Sequence, residues 1–193
     1  MLSYKESLKI LKEANALIEG HFILSSGLHS PQYVQCAQLM SKPDKAQKIC
    51  ESLSEKINNE FKEFDIILSP AMGGIVLGYE IGRLLNKETI FSERVKGEFK
   101  LRRDFLIKKD QKVLIVEDVI TTGKSSLECS KLVLEKKANV VGYACLIDRS
   151  KGKSLIKGKI VSQVELDIPT YTRENLPNNL LALKAVKPGS RNL

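Results

Sequence analysis

The alternation of apolar and polar positions divides the chain into an ordered series of elements. Ser3 and Glu6 have capping-box spacing, and Leu8, Leu11, Leu17 and Ile18 follow at near-helical intervals, so a first helix is expected to run to about Glu19 and stop at Gly20. Between His21 and Gln35, two short β-like segments flank a Ser25-Ser26-Gly27 turn. Pro43 suits the first turn of a second helix, in which Ala46, Ile49, Leu53 and Ile57 share one face. Phe64 to Leu68 reads as a strand, Ile75 to Leu85 as a helix, and Thr89 to Phe91 as a short strand. Val113 to Val116 is apolar without alternation. That suits a parallel strand covered on both faces, although a buried helical segment reads alike over four residues. Leu127, Leu132 and Leu134, set among Glu128, Lys131, Glu135 and Lys136, predict a helix that starts near Ser125 or Ser126, either of which can cap it. Asn139 to Ile147 and Val161 to Ile168 complete the strands, and Pro177-Asn178-Asn179 implies an irregular connection. Strand-turn-helix units at 64–85 and 112–137 indicate an α/β fold with a mainly parallel sheet. Ligands in such sheets sit at the carboxyl ends of the strands.

The densest chemistry lies in one stretch, Lys112 to Ser126, where an apolar run meets Glu117-Asp118 and then Thr121-Thr122-Gly123-Lys124-Ser125. Two adjacent carboxylates cannot continue the burial of the strand unpaired, so the chain is expected to leave the core at Glu117. A turn at a helix N-terminus offers backbone N–H groups and the positive end of the helix dipole, which together suit a phosphate. The acids above it suit hydroxyls or a cation. A nucleotide-binding P-loop would need glycine at position 118, which is Asp, and is rejected.

Composition narrows the setting. The 193 residues fit one domain able to bury a core, and 42% hydrophobic with 28% charged residues is ordinary for a globular protein. No apolar run nears the roughly 20 residues that cross a bilayer, and Met1 to Glu6 lacks the apolar core of a signal peptide, so the cytoplasm is expected. Cys36, Cys50, Cys129 and Cys145 are widely spaced and read as buried thiols rather than a zinc site or disulfide framework. The net charge of +8 is concentrated: Glu93 to Lys112 holds eight basic residues against four acidic ones, and Lys151, Lys153, Lys157 and Lys159 form a second patch. Focused positive charge serves an anionic small substrate as well as a polynucleotide. With 6% aromatics and no Trp, nucleic acid is not expected as the partner.

The central stretch resembles the phosphoribosyl pyrophosphate (PRPP) signature of type I phosphoribosyltransferases. Phe22, Leu24, Ser26, Gly27, Ser30, Pro31 and Tyr33 resemble the N-terminal segment of orotate phosphoribosyltransferases, and Pro70-Ala71-Met72-Gly73-Gly74 resembles that family's pyrophosphate loop. The resemblance covers essentially the whole chain. It implies the type I phosphoribosyltransferase fold: a mainly parallel central sheet flanked by helices, with a small hood contributed by about residues 1–40 and the C-terminal part. It also implies transfer of a phosphoribosyl group from PRPP to orotate in pyrimidine synthesis, with magnesium. PRPP would be held by Glu117, Asp118, Val119, Ile120, Thr121, Thr122, Gly123, Lys124 and Ser125, with the acids facing the ribose. The pyrophosphate would be received by Ala71, Met72, Gly73 and Gly74. Orotate would meet Thr121, Arg149 and Tyr33.

On composition alone the basic segment from Ser92 to Asp104 reads as a solvated loop. In the family the matching stretch is a mobile loop that closes over pyrophosphate, often of the neighbouring subunit, which makes Arg94 and Lys96 the catalytic candidates and a homodimer the expected assembly. No direct side-chain ligand set for magnesium is assigned; it would arrive with PRPP, near Glu117 and Asp118. Ser25 replaces a lysine that reaches orotate in several relatives, and Lys124 replaces a small residue. Alternatives are a transferase for uracil or a purine, a PRPP-sensing nucleic-acid-binding regulator, and, for Arg149, a surface pair with Asp148. Gly74, Gly78 and Gly82 read as a helix packing stripe.

Overall fold

The computed structural model describes residues 1–24 and 26–188. Helix α1 (Tyr4–Glu13) carries the expected capping box, with Ser3 N donating to Glu6 Oε2 at 2.7 Å and Glu6 N to Ser3 Oγ at 3.3 Å. The helix ends earlier than its apolar spacing implies. Asn15 takes φ +57, a left-handed conformation that stops a helix, and Leu17, Ile18, Glu19 and Gly20 belong instead to strand β1 (Leu17–Ile23). Leu17 is 4% exposed and Ile18 38%, so these neighbours face opposite sides, as in a strand. β1 pairs antiparallel with β2 (His29–Val34), and the C-terminal segment completes this unit: Ile23 N donates to Val186 O at 2.8 Å, and His29 bridges Tyr171. Here two buried histidines meet, His21 Nε2 and His29 Nδ1, 2.6 Å apart.

A short helix not anticipated from the pattern, α2 (Cys36–Met40), precedes α3 (Pro43–Glu60), which has Pro43 in its first turn and buries Ala46, Ile49, Leu53 and Ile57 as expected. Then come β3 (Ile66–Pro70), α4 (Gly73–Leu85), β4 (Glu88–Val95), β5 (Glu98–Leu101), β6 (Lys112–Ile120), α5 (Lys124–Glu135), β7 (Asn139–Asp148), β8 (Ile160–Glu165), a 3-10 turn (Arg173–Asn175) and α6 (Asn178–Leu181). The main sheet runs β5-β4-β3-β6-β7-β8, parallel throughout except for the β4–β5 hairpin. Val113 and Ile115 join one apolar core with Cys129, Val133 and Ile156, whereas Leu114 and Val116 join the other with Leu53, Ile57, Leu77 and Ile81. A strand buried on both faces has no reason to alternate, which explains its sequence.

The basic segment is an ordered hairpin rather than a loop. β4 continues past Phe91 to Val95, the chain turns at Lys96-Gly97 with φ +52 at Lys96, and Arg94 pairs with Phe99 across the ladder. The α4 glycines behave as a packing stripe: a Cβ at Gly78 would fall 2.1 Å from Ser69 Oγ, and one at Gly82 1.9 Å from Thr89 Oγ1. All four cysteines are free and buried. Among the described residues no helix is long and apolar enough to cross a membrane.

Candidate functional site

The carboxyl ends of β3, β6 and β7 lie side by side, so the segments that follow them meet at one edge of the sheet. After β3, the Ala71–Met72 peptide is cis, and Gly73 opens α4 with Gly74 buried beneath it. After β6 come the exposed Thr121 and Thr122, then Gly123 at φ +80, the exposed Lys124 and the half-buried Ser125. Gly123, not Ser125 or Ser126, occupies the N-cap of α5. The helix has no acidic residue in its first turn and no side-chain bond from its N-cap, so its dipole is not offset by a carboxylate there. Thr122 Oγ1 reaches the Lys124 amide at 3.4 Å. Val119 and Ile120 pack into the cores, which leaves only their backbone to face a ligand, and the carbonyl of Ile120 already accepts from Arg149 N at 2.8 Å.

The strand does not leave the core at Glu117. β6 runs on to Ile120, and Glu117 stays buried at 9% exposure because Ser126, one turn into α5, donates its hydroxyl to Glu117 Oε2. Burial is the larger influence and pushes the carboxyl up to about 7, against the hydrogen bond from Ser126. Asp118 is raised as well, again mainly by burial. Its carboxylate lies against Gly73, where a Cβ would fall 2.4 Å from Oδ2. A buried and a half-buried carboxyl that both resist ionisation are better served by an adjacent cation than by water.

Arg149 follows β7. Asp148 Oδ1 accepts from the Ser150 amide at 2.7 Å, and among the described residues no ion pair joins Asp148 to Arg149. The buried Nε of Arg149 has no hydrogen-bond partner. Arg94 is held by Glu128 of α5 at 2.6 Å and lies over the Phe99 ring at 4.1 Å, close enough to Glu117 to favour its ionised form. Lys96 is exposed at the hairpin tip and, among the described residues, in no ion pair. Tyr33 contacts Phe22, with ring centroids 5.6 Å apart. The start of α2 approaches the site through Cys36, whose Sγ lies 3.8 Å from Asp118 O. Thus Gly73, Asp118, Glu117, the 121–125 turn and Arg149 are gathered at one edge, while Tyr33 and Lys96 form no hydrogen bond or ion pair with them. Ser25 lies outside the described residues, as do Gly189 to Leu193. Ser126, which the sequence offers as a helix cap, instead holds Glu117, and the supporting roles of Glu128 and Ile156 leave no signal in the local pattern.

Among the described residues no cluster of three or more His, Cys, Asp and Glu side chains could hold a metal by itself. Magnesium is commonly bound through one or two carboxylates together with substrate phosphates, and Glu117 with Asp118 fits that donor set.

A family model described as the phosphoribosyl transferase domain matches residues 39–171. The orotate phosphoribosyltransferase of Parvibaculum lavamentivorans is 48% identical over 189 residues, covering 96% of this chain and 97% of that protein. That of Methylorubrum extorquens is 47% identical over 98% of this chain and 97% of its own length. Among solved structures, orotate phosphoribosyltransferase from Aeropyrum pernix superposes with a TM-score of 0.73 at 23% identity, covering 82% of this chain and 92% of that one, a likeness of fold. The chain belongs to the orotate phosphoribosyltransferase family, built on the phosphoribosyl transferase domain.

Proposed function

We infer that the chain transfers the 5-phosphoribosyl group of PRPP to orotate, giving orotidine 5′-monophosphate and pyrophosphate in pyrimidine synthesis. The bond from the anomeric carbon to the pyrophosphate oxygen breaks with its electron pair on pyrophosphate. The orotate ring nitrogen forms the new bond, and its proton goes to the departing pyrophosphate, which carries away the electron pair. The observation that carries the reading is Arg149: its guanidinium has a buried Nε without a partner and its backbone is tied to Ile120, the residue before the phosphate turn, which suits a base bearing a carboxylate.

In this reading the 121–125 turn binds the 5-phosphate through α5 N–H groups, and Asp118 and Glu117 hold the ribose hydroxyls. Gly73 and Gly74 admit the pyrophosphate. Arg149, with Thr121 and Tyr33, orients orotate in line with the anomeric carbon. Arg94 or Lys96 neutralises charge growing on the leaving group. When bound, magnesium supplies charge neutralisation at the pyrophosphate, and Glu117 and Asp118 would hold it together with substrate oxygens. No side chain acts as a nucleophile, and the acids serve as holders rather than acid–base catalysts.

The β1–β2 pair and the C-terminal segment form the hood of a single catalytic domain in this reading. A homodimer is supported by the exposed apolar side chains of Val76 and Tyr79 on α4 and of Met72 in the pyrophosphate loop just before it, Met72 at 82% exposure. The hairpin tip would then reach the neighbouring subunit's site. Reduced buried thiols suit the cytoplasm. Incubation with PRPP, magnesium and orotate tests the reaction: orotidine 5′-monophosphate and pyrophosphate should appear in equal amounts and only when all three are present. Pyrophosphate release at the same rate without orotate would contradict transfer.

A further inference from the structure

The connection between β7 and β8, residues 149–159, grips the phosphate turn at two points. The Leu155 amide donates to the carbonyl of Thr122 at 2.9 Å. Ile156, 7% exposed, lies over Gly123 so closely that a Cβ there would fall 2.8 Å from Ile156 Cγ1. The connection begins with the bond from Arg149 N to Ile120 O and folds on itself through Lys153 N to Ser150 O at 2.9 Å. The other holds on the turn are local ones, Thr122 Oγ1 to the Lys124 amide at 3.4 Å and Leu127 N to Gly123 O at 2.9 Å, while Thr121 and Thr122 are exposed and Gly123 takes a left-handed conformation.

We propose that residues 149–159 are a positioning strap, in which Ile156 and the Leu155 amide set the shape of the 121–125 turn while Arg149 is fixed at the root of the same piece. Both substrates are therefore presented by one packed unit. The strap rests on the reading above, in which the turn binds the phosphate of PRPP and Arg149 meets orotate. Ile156 acts through the turn and touches no substrate. Trimming it opens space over Gly123, lets the turn relax, and loosens the root that carries Arg149.

The test compares Ile156→Ala, Ile156→Val and Leu155→Ala in the full chain with magnesium, well below each melting temperature. Calorimetric PRPP affinity, the KM for orotate, kcat and thermal stability are read together. Ile156→Ala should weaken PRPP binding about tenfold and raise the orotate KM severalfold, with kcat within about threefold of wild type. Ile156→Val should restore most of the loss. Leu155→Ala should change neither parameter, because that side chain is 62% exposed and its contact is made by the backbone. Unchanged PRPP affinity in folded Ile156→Ala, or a PRPP effect with the orotate KM unmoved, would overturn the strap. A wild-type chain that fails to convert orotate would count against the functional reading instead, and the calorimetric PRPP arm would still judge the strap.

Discussion

The carboxylate of Asp118 occupies the place where a side chain on Gly73 would begin: a Cβ built there falls 2.4 Å from Oδ2 and 2.6 Å from Cγ. The start of α4 can come this close to the end of β6 only because Gly73 lacks that carbon. The atom in the way is the end of a short side chain rather than backbone, so it is Asp118 that must move if the space is filled.

Gly73→Ala is therefore predicted to displace Asp118 while leaving the fold intact, since Gly73 is exposed at the start of α4 and alanine favours a helix there. Turnover should fall on the order of a hundredfold, the effect of misplacing a holding group by about an ångström. Steady-state kinetics with a melting curve checks this. An unchanged rate would mean that Asp118 is not held where the reaction needs it.

Glu117 sets a trade between stability and function. Its ordinary value is 4.5 and its folded value about 7, so below pH 4.5 it is protonated in both states and costs nothing. As pH rises from 4.5 to about 7, the folded state is asked to ionise a buried carboxyl, at a cost of about 3 kcal/mol. Glu117→Gln should match wild type near pH 4 and melt several degrees higher at pH 8, at about 2–4 °C per kcal/mol. It should also lose PRPP binding. Equal melting curves at pH 8 would show that the carboxyl is not penalised.

Much of this site is written in local spacing, and the rest is not. The run from Val113 to Val116 was readable because a strand buried on both faces needs no alternation, and the turn from Thr121 to Ser125 because its residue types sit within a few positions of the acids. Leu17-Ile18 was misread because adjacent apolar residues fit a helix stripe or a strand equally, and the left-handed Asn15 decided between them. The hairpin was hidden by its charges: Arg94 lies over Phe99, and Glu93 pairs with Arg102 at 3.2 Å and Arg103 at 2.7 Å, so a basic run became a ladder. Glu117 with Ser126, and Gly123 with Ile156, are tertiary pairs. Their partners come from another element, and no pattern within one segment announces them.

Lys96→Ala should lower turnover on the order of a hundredfold with PRPP affinity nearly unchanged, because the cation serves charge that develops only as pyrophosphate leaves. Equal kcat would remove Lys96 from the reaction.

If the hairpin serves the neighbouring subunit, mixing inactive Lys96→Ala with inactive Asp118→Asn should recover about a quarter of wild-type activity. Half of the randomly exchanged dimers are then mixed, and each mixed dimer holds one intact site. No recovery after demonstrated subunit exchange would place Lys96 in its own subunit's site. Asp118→Asn alone should lose PRPP and magnesium binding without a change in the shape of the pH profile.

The most direct measurement is a time course in an equal mixture of orotate and uracil, with PRPP and magnesium, for wild type and Arg149→Ala. Wild type should consume orotate and leave uracil untouched, and Arg149→Ala should lose most of that preference, since an unpartnered guanidinium rewards the carboxylate that uracil lacks. Equal or faster use of uracil by wild type would contradict the account.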